Sequence, residues 1–325
     1  MFARRFLAAS SVMQRQFVRS ISKSVRLHQL DLKGIYPPIC TPFTDDGKFD
    51  INYEKLAENM KVYQQSPLRG YLVQGSNGEY IYLTPSERVE LVRRVRPLVT
   101  DGRLLLAGSG CESTAETVEL SQQMAEAGAD ALVVVTPCYY KASMNDAAMV
   151  AHYTAVADAS PVPVILYSVP ANTGINLSVE AVTQLAPHPN IIGIKDSLGD
   201  ISKLAQLVET TKDEQFQVLA GSAGFLLPAL LVGCVGGICA LANVVPEAVC
   251  RLESLWRSGS LTEAAKLQRK LVAPNAAVTR GLGVPGMKAA MDAHGLYGGP
   301  LRPPLLPLSD AQKVVLHKIF VDAEL

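Results

Sequence analysis

The chemistry-bearing residues of this chain cluster around one lysine. Lys195 ends the apolar run Ile191-Ile192-Gly193-Ile194, ahead of Asp196 and Ser197. A run this rich in β-branched residues reads as a strand buried on both faces of a parallel sheet. An amine with an ordinary pKa of about 10.4 loses its solvation in such a place, and desolvation favours the neutral form that attacks a ketone. The alternative is a strand-end lysine that reaches back to water or pairs with Asp196. Other polar residues also follow apolar runs: Thr41, Gly75-Ser76-Asn77-Gly78-Glu79, Tyr139-Tyr140, Tyr167, Ser197 and Gly221-Ser222. One lysine, several tyrosines, hydroxyls and glycine-freed amides fit imine chemistry on a keto acid. The lysine supplies the nucleophile, phenols move protons, and amides hold a carboxylate. Singly, each group has a plainer reading: residues 75–78 as a tight turn, the tyrosines as packing residues, and Ser197 as the cap of the next helix.

For these groups to meet, the strands that carry them must share one sheet and end on one side. Runs rich in Val, Ile and Leu begin near Gly34, Gly70, Leu104, Ala131, Pro163, Ile191, Phe216 and Gly236, and all but the last two intervals leave room for a full helix. Thr84-Pro85-Ser86-Glu87, Ser113-Thr114-Ala115-Glu116 and Ser260-Leu261-Thr262-Glu263 have the form of capping boxes, and Gly128 stops the third helix. This alternation predicts an α/β fold, a (β/α)8 TIM barrel with its active site at the carboxyl ends of the strands. A doubly wound sheet would need a nucleotide fingerprint at its first turn. Gly108-Ser109-Gly110 lacks the third glycine and follows the third strand, so no nucleotide cofactor is expected. Residues 31–247 are read as the barrel core, and residues 248–325 as its last helix plus a C-terminal helical appendage.

The chain has 325 residues, 48% hydrophobic, with 30 basic and 30 acidic side chains. That balance leaves no electrostatic footprint for nucleic acid. Residues 1–30 hold Arg4, Arg5, Arg15, Arg19, Lys23 and Arg26, five serines and no acid. On a helix, Phe2, Phe6, Ala9, Met13 and Phe17 would share one face opposite the arginines, the pattern of a cleaved, disordered mitochondrial transit peptide. The expected location is therefore the mitochondrial matrix. No apolar run reaches the ~18 residues needed to span a bilayer, so no membrane partner is expected. The six cysteines form no C-x-x-C pair, and the five histidines show no ligand spacing, so neither a metal site nor a disulfide framework is expected.

G-S-N-G-E at 75–79, T-P-C-Y-Y at 136–140, L-Y-S-V-P at 166–170, G-I-K-D-S at 193–197 and A-G-S-A-G at 220–224 resemble, in order and spacing, the dihydrodipicolinate synthase and N-acetylneuraminate lyase family of pyruvate-dependent Schiff-base aldolases. The resemblance covers residues 34 to about 310. It implies that Lys195 forms the imine, Tyr167 relays the proton, Ser76 and Asn77 hold the carboxylate, and Ser197 and Gly221 meet the rest of the substrate. It also implies that Tyr139 reaches across a subunit boundary and joins Tyr167 through Ser76, in a homotetramer acting on a small keto acid. The synthases of this family carry an arginine two residues after the proline that follows the strand-5 tyrosine. Here that residue is Asn172, and the loss of a bidentate carboxylate fork favours a short dicarboxylic keto acid over the synthase's aldehyde partner. The expected reaction is cleavage of 4-hydroxy-2-oxoglutarate to pyruvate and glyoxylate. The alternatives are another aldolase or synthase of the family, and a non-catalytic keto-acid-binding barrel.

Overall fold

A computed structural model describes residues 30–325. The basic leader expected over residues 1–30 lies, but for its last residue, outside the described residues. Eight strands alternate with helices: β1 Gly34–Tyr36, α1 Tyr53–Tyr63, β2 Gly70–Val73, α2 Pro85–Val95, β3 Leu104–Gly108, α3 Thr114–Glu126, β4 Ala131–Val135, α4 Asp146–Ala159, β5 Val164–Ser168, α5 Val179–Leu185, β6 Ile191–Asp196, α6 Ile201–Thr210, β7 Gln217–Ala220, α7 Leu226–Leu231, β8 Gly236–Ile238 and α8 Pro246–Arg257. All ladders are parallel and run in the order β1-β8-β7-β6-β5-β4-β3-β2. The ends meet through Arg69 N donating to Ile35 O (3.0 Å) and Ile39 N donating to Leu72 O (2.9 Å), so the sheet forms a nearly closed TIM barrel. Strands β5 and β7 begin at Val164 and Gln217, one residue beyond the expected Pro163 and Phe216.

Helix starts show which capping signals the chain uses. Thr84 and Glu87 form a reciprocal capping box at α2, with Pro85 in its first turn. At α3, Ser113 accepts from the Glu116 amide at 3.1 Å. The third expected box fails: Ser260 makes no side-chain cap before the next helix, α9, Leu261–Ala276. Its backbone, at ψ 58°, is outside the extended geometry that aims an N-cap hydroxyl at the N3 amide. Ser197 is not a cap either, because Asp200 accepts from Lys203 N at 3.1 Å and starts α6.

Beyond α9 the chain enters a π-helical turn, Ala277–Gly281, and then α10, Gly283–Ala293, and α11, Asp310–Asp322. Pro274 lies inside α9, where it lacks an amide to continue the ladder. The π turn follows three residues later, and such turns recur at functional sites.

The helix-facing core contains Leu166 of β5 and Ile194 of β6, together with Val134 of β4, Val218 of β7 and Leu105 of β3. Successive strand residues point to opposite faces, so Tyr167 and Lys195 turn toward the barrel axis. The two are register partners across the β5 and β6 ladder. Asp196 points the other way and pairs with Lys203 of α6 at 2.6 Å, both side chains being buried. The alternative in which Asp196 neutralises Lys195 is therefore excluded by strand alternation.

Candidate active site

A cavity of about 380 Å³ opens at the carboxyl ends of the strands and is lined by Ser76, Asn77, Tyr167, Lys195, Ser197 and Gly221, among others. Six of the seven expected site residues thus meet in one place. Lys195 is 3% exposed, and its Nζ stands 4.0 Å from the centroid of the Tyr167 ring. The lysine is buried yet not without polar company, since the Tyr167 hydroxyl feels the side chains of Lys195, Ser76 and Ser197. Burial pushes the Tyr167 phenol up. The Lys195 charge and the hydrogen bonds from Ser76 and Ser197 outweigh it and hold the phenol below its ordinary value of 10.0. A phenol with lowered proton affinity beside an amine is suited to passing a proton between lysine, substrate and hydroxyls.

The turn that carries Ser76 and Asn77 is a short 3-10 segment, Ser76–Gly78, directly after Gly75. Glu79 ends it in the left-handed region, at φ 53°, with its amide donating to Ser76 O. Thr41 Oγ1 donates to Gly78 O at 2.7 Å, which ties the turn to the loop after β1. On the other wall, Gly221 N donates to Asp196 O at 2.7 Å. A Cβ at Gly221 would lie 2.0 Å from Ser197 Oγ, so only glycine lets the two loops close this tightly.

Tyr139 is the exception. It is 76% exposed, stacks edge-on against Tyr140 with centroids 5.1 Å apart, and lies outside the cavity. Its loop is nevertheless held in place, because the Glu112 carboxylate accepts from the amides of Cys138 (2.9 Å) and Tyr139 (2.8 Å). Glu112 was not among the expected residues. Nor were Val278, Thr279 and Arg280, which line the cavity from the π turn. An unbroken helical pattern from Pro274 to His294 hides them in the sequence. Among the described residues no group of three His, Cys, Asp or Glu side chains is arranged to hold a metal.

An interior lysine paired with a tyrosine on the adjacent strand, at the carboxyl mouth of a (β/α)8 barrel, defines the class of pyruvate-dependent Schiff-base lyases. Residues 31–323 match the Dihydrodipicolinate synthetase family, and the chain belongs to that family. It is 36% identical over 291 residues to 4-hydroxy-tetrahydrodipicolinate synthase of Methanoculleus marisnigri, covering 89% of this chain and 99% of that relative. A dihydrodipicolinate synthase structure from Bacillus anthracis superposes with a TM-score of 0.85 at 30% identity, covering 90% of this chain and 99% of the other. A prophage protein of the same family from E. coli K12, solved in complex with pyruvate, gives 0.84 at 31% identity, covering 91% and 100%.

These archaeal and bacterial relatives overturn the expected mitochondrial matrix location. Such cells have no mitochondria.

Proposed function

We propose that this chain is a class I aldolase that cleaves 4-hydroxy-2-oxoglutarate to pyruvate and glyoxylate. Lys195 attacks C2, water leaves, and the resulting imine, once protonated, draws electrons from the C3–C4 bond. Tyr167 accepts the C4 hydroxyl proton as that bond breaks and glyoxylate departs. The enamine left on Lys195 is protonated at C3, and hydrolysis releases pyruvate and the free amine. Ser76 and Asn77 hold the C1 carboxylate, while Ser197 and Gly221 meet the remainder of the substrate. No cofactor enters any step. A homotetramer, in which the exposed Tyr139 completes a neighbour's site, fits this reading.

The observation that carries the substrate assignment is Asn172, exposed at the cavity rim where a synthase would present a guanidinium. A second reading, condensation of pyruvate with aspartate semialdehyde, is favoured by the names of the relatives. It shares the Lys195 imine and the enamine, but there the enamine forms when the pyruvate imine loses a C3 proton, and its C3 then attacks the aldehyde carbon. The discriminating experiment compares kcat/KM for the two substrate sets on one preparation, with borohydride trapping of pyruvate mapped by peptide mass. The aldolase reading expects the adduct on Lys195 alone and a preference of 10²-fold or more for cleavage, the scale set by leaving a carboxylate without its charged partner. Comparable values would overturn the substrate assignment. An adduct elsewhere would overturn the imine.

A further inference from the structure

We infer that Arg280 is the receptor for the distal carboxylate of a dicarboxylic keto acid bound as an imine on Lys195. The inference rests on the imine reading of the site and adds to it the group that selects the substrate. The cavity lining contains two cationic side chains, Lys195 and Arg280, and no aspartate or glutamate. Lys195 is consumed in bonding to C2. The C1 carboxylate is met by the neutral donors Ser76 and Asn77, so a second carboxylate has one full positive charge left to meet, that of Arg280.

The chain delivers this charge through an irregular backbone. The π turn Ala277–Gly281 breaks the i to i+4 register after α9, and residues 278, 279 and 280 all line the cavity. In a regular helix, consecutive residues are spread about 100° apart around the axis and do not present one continuous wall. Arg280 Nη2 donates to Leu198 O at 3.0 Å, which fixes one arm of the guanidinium against the loop that follows Lys195. A guanidinium has five N–H donors in a fixed fork, and this carbonyl takes one of them. Arg280 forms no ion pair among the described residues, whereas Arg96 pairs with Asp130 and Arg302 with Glu87. An exposed, half-anchored guanidinium at a cavity without acids keeps the donors that grip a carboxylate in a fork.

The family's synthases place their carboxylate-gripping arginine on the loop after β5, where this chain has Asn172. Here the charge comes instead from the far side of the chain, beyond the barrel. The same fold thus accepts a second carboxylate from a different direction, which changes the length and shape of substrate that fits.

The test uses borohydride trapping with two keto acids on the full chain. Pyruvate carries only the C1 carboxylate. 2-Oxoglutarate has the carbon skeleton of the proposed substrate without its C4 hydroxyl, so it forms the imine and stops. In the wild-type protein, 2-oxoglutarate should be trapped at lower concentration than pyruvate. Arg280→Met should lower the ratio of 2-oxoglutarate to pyruvate trapping efficiency by about 10- to 100-fold, the loss typical of a hydrogen-bonded charge partner. Arg280→Lys should fall between them, keeping the charge and losing the fork. If Arg280 only fastens the Leu198 loop, both acids lose trapping together and the ratio stays put, which overturns the inference. An unchanged ratio with both acids trapped normally overturns it equally, and leaves the imine intact. Failure of the wild type to trap either acid would remove the imine and this inference together. A changed ratio in an enzyme that does not cleave 4-hydroxy-2-oxoglutarate would uphold Arg280 and reject the proposed reaction.

Discussion

Replacement of Lys288 by methionine tests how the C-terminal helices hold the Ser76–Gly78 turn, the proposed carboxylate site. Lys288, on α10, is buried, and its Nζ stands 2.7 Å from Glu79 Oε1, with side-chain exposures of 2% and 0%. The same ammonium donates to Thr41 O at 2.9 Å and Pro300 O at 2.8 Å, and it sits 4.4 Å from the Phe43 ring centroid. Glu79 ends the Ser76–Gly78 turn, and its other oxygen accepts from Arg302 N at 3.0 Å. Methionine fills similar space and supplies no donor. The Glu79 charge would then be buried with one amide to answer it, and breaking a buried pair from one side costs about 3–5 kcal/mol. Two carbonyls also lose their donor, at about 1 kcal/mol each. Against a typical total of about 5–15 kcal/mol this is a large share. Urea denaturation should therefore show a loss of about 4 kcal/mol or more. The double variant Lys288→Met with Glu79→Gln should recover part of it, because the orphaned charge is gone. In the folded fraction, KM for the keto acid should rise as Ser76 and Asn77 lose their support. A loss below about 1 kcal/mol, or a double variant no more stable than Lys288→Met alone, would refute the reasoning.

Tyr167→Phe should keep borohydride trapping at Lys195 while turnover falls by about 10²- to 10⁴-fold, the usual contribution of a placed acid or base. Near-normal turnover in a stopped-flow assay would show that the proton takes another route. Gly221→Ala puts a methyl where Ser197 Oγ and, at 2.7 Å, Asp196 O already stand. Steady-state kinetics should show a loss of about tenfold or more in kcat/KM, since small displacements at reacting centres are costly, and wild-type values would mean that the two loops yield freely. Mixing inactive Tyr139→Phe with inactive Lys195→Ala should restore part of the activity after subunit exchange, because one hybrid site would hold both intact residues. Exchange demonstrated by mass without recovered activity would mean that Tyr139 serves its own chain.

The parts legible in the sequence were those set by local pattern. Strand starts at Gly34, Gly70, Leu104, Ala131, Ile191 and Gly236 coincide with the expected ones, since buried parallel strands are short apolar runs bounded by turns. Lys195 stood out because a charged residue in such a run demands a reason. Two local readings failed for lack of information about direction. Asp196 neighbours Lys195 in the chain but faces α6, and Ser197 resembles a cap but turns its hydroxyl toward Tyr167 and Gly221, leaving Asp200 to start the helix. Ser260 has the right residues for a capping box and the wrong ψ.

What the sequence hid is what arrives from far along the chain. Lys288 reaches Thr41 across 247 positions, and Arg280 reaches Leu198 across 82, separations at which no spacing rule connects a side chain to its target. Both come from the helical segment after the barrel, and the second depends on a register change that periodicity cannot reveal. The division has a chemical consequence. Tyr167 and Lys195, the proposed proton relay and nucleophile, sit on β5 and β6 as register partners, and a one-residue slip of either strand would turn its residue to the wrong face. The Ser76–Gly78 turn and the Arg280 guanidinium are instead held from the helical segment after the barrel, through Lys288 against Glu79 and through Arg280 against Leu198. On the proposed reading, the sheet positions the imine-forming pair, while the segment after the barrel positions the groups that meet the substrate's carboxylates.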